Sequence, residues 1–411
     1  MKIRLRSRKN ATAKVAGAPA KLLNPLLVFI GIFVLYNLLG LVDVPWNISG
    51  SYSKEAPWLM FFTALSALGI VYVVSLVFGR KILPNDKAQG SPNLLGFVLL
   101  GVFGLCLAMS IITNGGIALF LGEARFSNSA IVYNLAQMYG LWVLLSTINL
   151  IEKGKAIKKL PIAIYIVGIT AFGYRSPALV FGIVLGTYFL LYRIPSKKAI
   201  KIGSVCGLVF IVASAVMSGF RVSQDYDIEK FFKNIDYQYL AEHPYFTPLV
   251  PALAMFDYSQ STVSDVAANL PESKMGDLFL SNYETFLPGQ HWGARNIVGD
   301  IVGARWVNGR PMSITPTIQG GLYIDFGYVG VFFGMIFVGF MISILYRMSL
   351  TGTSRMRFVF AYIFALSVMS IHNGYWDAVF VFFLFFIFLV KVFDVLKHSF
   401  PRFSRVPRLA V

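Results

Sequence analysis

The residues best equipped for chemistry are a few arginines, histidines and carboxylates set beside long apolar stretches. Between 290 and 325 stand His291, Arg295, Arg305, Arg310, Tyr323 and Asp325, and an apolar run begins at Phe326. Two more polar clusters interrupt apolar sequence, Gly173-Tyr174-Arg175-Ser176 and His372-Asn373-Gly374-Tyr375-Trp376-Asp377. A guanidinium is permanently charged and binds phosphate oxygens in pairs. Histidine or a carboxylate within reach of a hydroxyl can take its proton. The set therefore fits recognition of a phosphorylated molecule combined with proton transfer. The competing reading is plain loop salt bridging of the arginines with Asp300 and Glu284.

Other chemistries have less support. Asp225-Tyr226-Asp227 has the carboxylate-x-carboxylate form that holds a metal–nucleotide in soluble sugar transferases. Here it follows an apolar run on the side where nucleotides are not available. No Cys/His set has zinc spacing. No glycine-rich phosphate loop and no Gly-x-Ser-x-Gly elbow occurs. No metal and no cofactor is expected. His243 and His398 have no partners that would give them a role.

The elements that must position these groups are membrane spans. The 411 residues are 56% hydrophobic and only 13% charged, about half the charge of a soluble domain. That excludes a soluble enzyme and a disordered chain. Six runs free of charged residues are long enough, or nearly so, to cross a hydrocarbon core: 23–42, 58–78, 94–112, 130–151, 202–220 and 326–346. In lipid such a run must be helical, because an open strand leaves its backbone unsatisfied. Two regions, 160–192 and 358–392, each split into two short apolar runs around a polar tip. Pro177 and the Asn373-Gly374 pair favour a turn at each tip, so both regions read as helical hairpins. The expected fold is an all-α polytopic membrane protein of about ten transmembrane helices with one large external loop.

The boundaries follow. A basic tail occupies 1–21, helices one to seven 22–220, the external loop 221–317, helices eight to ten 318–394, and a second tail 395–411. With both termini inside, the inner segments hold 26 of the 36 Lys and Arg, while 16 of the 19 acidic residues lie outside. This asymmetry sets orientation. The net charge of +17 is thus topology and contact with anionic membrane lipids, not nucleic-acid binding. The long loop is rich in aromatic residues, and Asp227 to Leu240 reads as an amphipathic helix. Hairpin helices of about fifteen residues rise only about 22 Å, so their tips are expected to sit recessed from the outer surface. A recessed charge needs a wet cavity or a partner. Two such tips imply one outward-open polar cavity, and arginines beside it suit a lipid-linked diphosphate.

The chain resembles the bacterial O-antigen and exopolysaccharide repeat-unit polymerases of the Wzy type. In architecture the resemblance covers the whole length. In sequence it rests on Gly173-Tyr174-Arg175-Ser176-Pro177 and on the segment from Ser313 to Gly327. Two Arg-x10-Gly matches, Arg175 to Gly186 and Arg310 to Gly321, add to it. The resemblance implies a GT-C-like membrane glycosyltransferase in the bacterial cytoplasmic (inner) membrane. It implies transfer of a growing glycan from undecaprenyl diphosphate to the non-reducing end of a fresh lipid-linked repeat unit, with inversion and without a metal, at the outer face. A chain-length regulator is an implied partner. Arg175 and Arg310 would hold the diphosphates, helped by Arg295, Arg305 and Tyr323. The base would be one of His372, His291, Asp377 and Asp325, among which the sequence does not choose. The rival readings are an O-antigen ligase, differing in its acceptor, and a flippase for lipid-linked oligosaccharides.

Overall fold

In a computed structural model of the protein, the residues described are 24–42, 52–77, 92–120, 129–173, 176–193, 242, 250–270, 272–285, 292–305, 311–376 and 378–399. The 202–220 run and the amphipathic 227–240 segment lie outside them. The described chain is helical apart from one isolated bridge between Arg305 and Pro311. Its helices are α1 (Pro25–Leu41), α2 (Glu55–Val77), α3 (Asn93–Asn114), α4 (Ala130–Glu152), α5 (Lys159–Ala171) and α6 (Ser176–Tyr192). They continue as α7 (Val250–Asn269), α8 (Asp277–Glu284), α9 (Ala294–Ile301), α10 (Thr317–Thr351), α11 (Ser354–Asn373) and α12 (Val379–Ser399).

Six of these helices, α2, α3, α4, α10, α11 and α12, are long and apolar enough to cross a membrane. The others of high apolar content, α1, α5 and α6, have 17, 13 and 17 residues. Helix α1 starts where local chemistry dictates. The Asn24 side chain accepts a hydrogen bond from the Leu26 amide, and Pro25 occupies the first helical position.

Both split regions fold as two helices. The second pair is longer than its apolar runs, because α11 begins at Ser354 and α12 continues to Ser399. Ion pairs sustain the extra turns. Arg355 forms a two-contact pair with Asp394, and Arg357 donates to Glu152 at 2.8 Å. At 20 residues α11 spans about 30 Å. Shortness, the expected reason for a recessed tip, therefore applies to the first pair only. Helix α11 stops where Gly374 takes a φ of +99°, a conformation open to glycine and strained for other residues.

Helix α11 is central among the described helices. One of its faces, Phe358, Ala361, Tyr362, Ala365 and Leu366, joins a core built from α3, α4, α5, α6 and α12. The spacing of three and four residues is that of one helical stripe. The opposite face, Phe360, Phe364 and Ile371, joins a second core made by α1, α2, α7 and α10. A helix apolar on both sides belongs in the interior. A small third cluster, with Val266, Leu278, Val298, Ile314 and Ile324, ties α7, α8 and α9 to the start of α10. Part of the long connection before α10 is therefore packed helix, not surface loop. Helix α10 is broken at Phe326 and Gly327, where the backbone leaves helical angles. The break separates a largely buried first two and a half turns from the long apolar span.

Candidate functional site

Buried polar side chains gather where α1, α7, α10 and α11 meet. Tyr36 and Asn37 are consecutive on α1 and face α7. The approach depends on Gly40, since a Cβ there would lie 2.4 Å from the Phe256 carbonyl oxygen and 2.6 Å from Gln260 Cγ. Without a side chain at that position the two backbones come close enough for short polar side chains to meet. The Tyr36 hydroxyl lies 2.8 Å from Ser259 Oγ on α7 and 2.6 Å from His372 Nδ1 on α11. Ser259 Oγ also donates to the Met255 carbonyl at 2.8 Å. One residue further, Asn37 Oδ1 accepts from the Gln260 side-chain amide at 2.9 Å and from that of Gln319 on α10. Asn37, Ser259, Gln260 and Gln319 are fully buried.

A buried amide lacking a partner is costly, and polar groups inside a membrane protein mark functional interiors. The Oε1 atoms of Gln260 and Gln319 have no hydrogen-bond partner among the described residues. His372 is half-buried at the last turn of α11. Arg295, in the first turn of α9, acts on it electrostatically. A basic nitrogen thus lies within electrostatic reach of a guanidinium. They come from segments far apart in the chain.

The remaining predicted residues divide between those the structure describes and those outside its described range. Asp325 is fully buried at the end of the first segment of α10. Its two oxygens accept the amides of Leu278 and Phe279 at 2.9 and 3.0 Å, and Oδ2 accepts the Tyr375 hydroxyl at 2.5 Å. Burial first, then the adjacent carboxylate, raises the Tyr375 pKa well above the usual phenol range, so its hydroxyl stays a donor. Asp325 therefore clamps three segments together: the start of α8, the end of the α10 segment and the turn after α11. Arg305 is exposed and pairs with Asp300, one of the loop carboxylates the sequence offered. Tyr323 is half-buried, with its ring edge-on to Tyr328 at 5.0 Å. Arg175, His291, Arg310 and Asp377 lie outside the described residues. Among the described residues no group of three His, Cys, Asp or Glu side chains could hold a metal ion.

Sequence reasoning passed over Tyr36, Asn37, Ser259, Gln260 and Gln319. A signal was present for the first two, a Tyr-Asn pair inside the apolar run of 23–42. Neither side chain is charged, so neither stands out within a span. Gln319 fell inside the Ser313 to Gly327 segment that carried the resemblance.

At the opposite end of α11 a second polar cluster forms. Glu152 accepts from Arg193 at 3.0 Å, Arg357 at 2.8 Å and Tyr188 at 2.5 Å, and Ser354 donates to Asn149. The bundle is thus polar at two ends and apolar between, and the His372 corner occupies only one of them. No curated protein and no solved structure matches the chain significantly. The O-antigen polymerase family does, over residues 22–385, a stretch that contains α1 to α11, the first two turns of α12 and the whole polar corner. With that coverage, the chain belongs to the O-antigen polymerase family.

Proposed function

We propose that the protein polymerises oligosaccharide repeat units carried on undecaprenyl diphosphate, using His372 as the base and Arg295 as a diphosphate contact. The position of His372 at the polar end of α11, hydrogen-bonded to Tyr36 and within electrostatic reach of Arg295, carries the reading. In the reaction, a hydroxyl at the non-reducing end of a fresh lipid-linked unit attacks the anomeric carbon of the growing glycan. The new carbon–oxygen bond forms as the bond to the lipid diphosphate breaks. The hydroxyl proton passes to the base, and the diphosphate leaves with the electron pair. Attack opposite the leaving group inverts the anomeric centre. Guanidinium charge beside the departing diphosphate stabilises what develops there. Because the leaving group is already activated, holding the two sugars in line supplies much of the acceleration.

Both substrates carry a diphosphate, so a second cationic contact is needed. Arg310 and Arg175 are assigned to it on the strength of the resemblance. The site is placed at the outer face of the inner membrane. Two features support this: the ionic cluster around Glu152 lies at the end where the basic loops are expected, and the His372 corner lies at the other.

The test is chain lengthening by the purified protein in lipid, given lipid-diphosphate repeat units. His372→Ala and Arg295→Ala should each lower the rate of lengthening at least 100-fold with unchanged protein level. In cells, the same variants should leave single capped repeats on the surface. Loss of all surface repeats would instead identify a ligase, and normal ladders from both variants would sink the assignment.

A further inference from the structure

We propose that Tyr36 and Ser259 are positioning residues that hold His372 in the tautomer protonated on Nδ1, leaving Nε2 as its basic nitrogen. The inference rests on the reading of His372 as the base and adds what sets its orientation and proton.

The argument is a count of hydrogens. Four polar atoms follow one another in contact: the Met255 carbonyl oxygen, Ser259 Oγ, Tyr36 Oη and His372 Nδ1, the last also 3.5 Å from Ser259 Oγ, too far to require a hydrogen between them. Successive separations are 2.8, 2.8 and 2.6 Å. At such distances two electronegative atoms without a hydrogen between them repel, so each of the three gaps holds one. The Met255 carbonyl has no hydrogen to give. The first gap must therefore hold the hydroxyl hydrogen of Ser259. Ser259 then has none left for the second gap, which holds the hydrogen of Tyr36. Tyr36 in turn has none left for the third, so that hydrogen belongs to Nδ1 of His372. A histidine bonded in this way through one nitrogen presents the other as an acceptor.

The surroundings keep the line in place. Ser259 is fully buried, and the Tyr36 ring is fixed edge-on against Phe256 at 4.8 Å. Gly40 allows the close approach of α1 and α7 that brings the two hydroxyls together. When Nε2 takes the proton of an acceptor hydroxyl, the imidazolium keeps its Nδ1–H bond to Tyr36. No group in the line has to move or change its own proton.

Two measurements test this on the full-length protein in lipid nanodiscs. The first is solid-state NMR of protein labelled with [15N]histidine. The chain has four histidines, and a difference spectrum against His372→Gln isolates the one of interest. Wild type should show a protonated Nδ1 and a bare Nε2 at neutral pH. Tyr36→Phe should transfer population toward the opposite tautomer. The second is steady-state lengthening of lipid-linked repeat units. Tyr36→Phe should lower kcat about tenfold with KM unchanged, less than loss of the base itself, and Ser259→Ala should act in the same direction. A bare Nδ1 in wild type, or wild-type kcat in both variants, would overturn the proposal. Should Tyr36→Phe fail to fold, the wild-type spectrum and Ser259→Ala still decide it. Full activity of His372→Gln would sink the base reading, while the wild-type spectrum would report the tautomer independently.

Discussion

Both carboxylate oxygens of Asp325 are committed to hydrogen bonds, two from the backbone at the start of α8 and one from Tyr375. That makes its role testable against the base assigned to His372. Asp325→Ala leaves the Leu278 and Phe279 amides without their acceptor, while the Tyr375 hydroxyl keeps the Gly321 carbonyl at 2.8 Å, and should cost about 2–3 kcal/mol of stability. Thermal unfolding in detergent should therefore shift downward, while the protein that remains folded lengthens chains with an unaltered pH profile. The reverse result, full stability with lost lengthening, would identify Asp325 as the base instead. Residue types alone could not separate these roles. Asp325 and His372 were equal candidates in the sequence, because hydrogen-bond commitment depends on segments far away in the chain, here 278–279 and 375.

At the scale of elements, the packing of α7 on α1 decides whether the site exists. Gly40 faces backbone, not a flexible side-chain end, so an added Cβ cannot be absorbed by a rotamer change. Gly40→Ala should push the helices apart, at a cost of about 1–3 kcal/mol. Lengthening should fall with it, because Ser259 and Gln260 retreat from Tyr36 and Asn37. Activity measured per folded molecule checks this: a wild-type value would show that the α1–α7 spacing is not needed. Apolar length made the spans readable, and a Pro or Asn-Gly punctuation made the hairpins readable. The placement of α7 was not readable. Its polar residues, among them Ser259, Gln260, Ser261 and Thr262, look like solvated sequence, and only packing against α1 and α10 buries them.

At the scale of the whole molecule, the two ends of α11 do different work. The end at Ser354 to Arg357 is locked by Glu152, which binds Arg193, Arg357 and Tyr188 and so joins α4, α6 and α11. Glu152→Gln leaves the little-exposed guanidinium of Arg357 without its counter-charge, and should destabilise the protein by about 3 kcal/mol. The loss should appear as earlier denaturation in detergent. The His372 corner, at the far end of α11, should keep its kcat in the folded fraction, and a proportionate fall in kcat and stability would mean that the two ends are coupled.

Some features of this protein follow from local sequence alone. Apolar length determines that the chain is helical and membrane-crossing, because lipid leaves the backbone no other way to satisfy itself. The distribution of Lys and Arg separates two sets of loops, and the motifs around 173–177 and 313–327 indicate the family. Each of these properties is carried by neighbouring residues. The site is not. His372 gains its partners from α1 and α7, and its neighbouring charge from α9. Asp325 is withdrawn into a clamp by α8 and the turn after α11. Those assignments depend on which helices touch and at what distance. The tertiary structure alone decides that, because hydrogen bonds between distant segments form only when packing has brought both groups within about 3 Å.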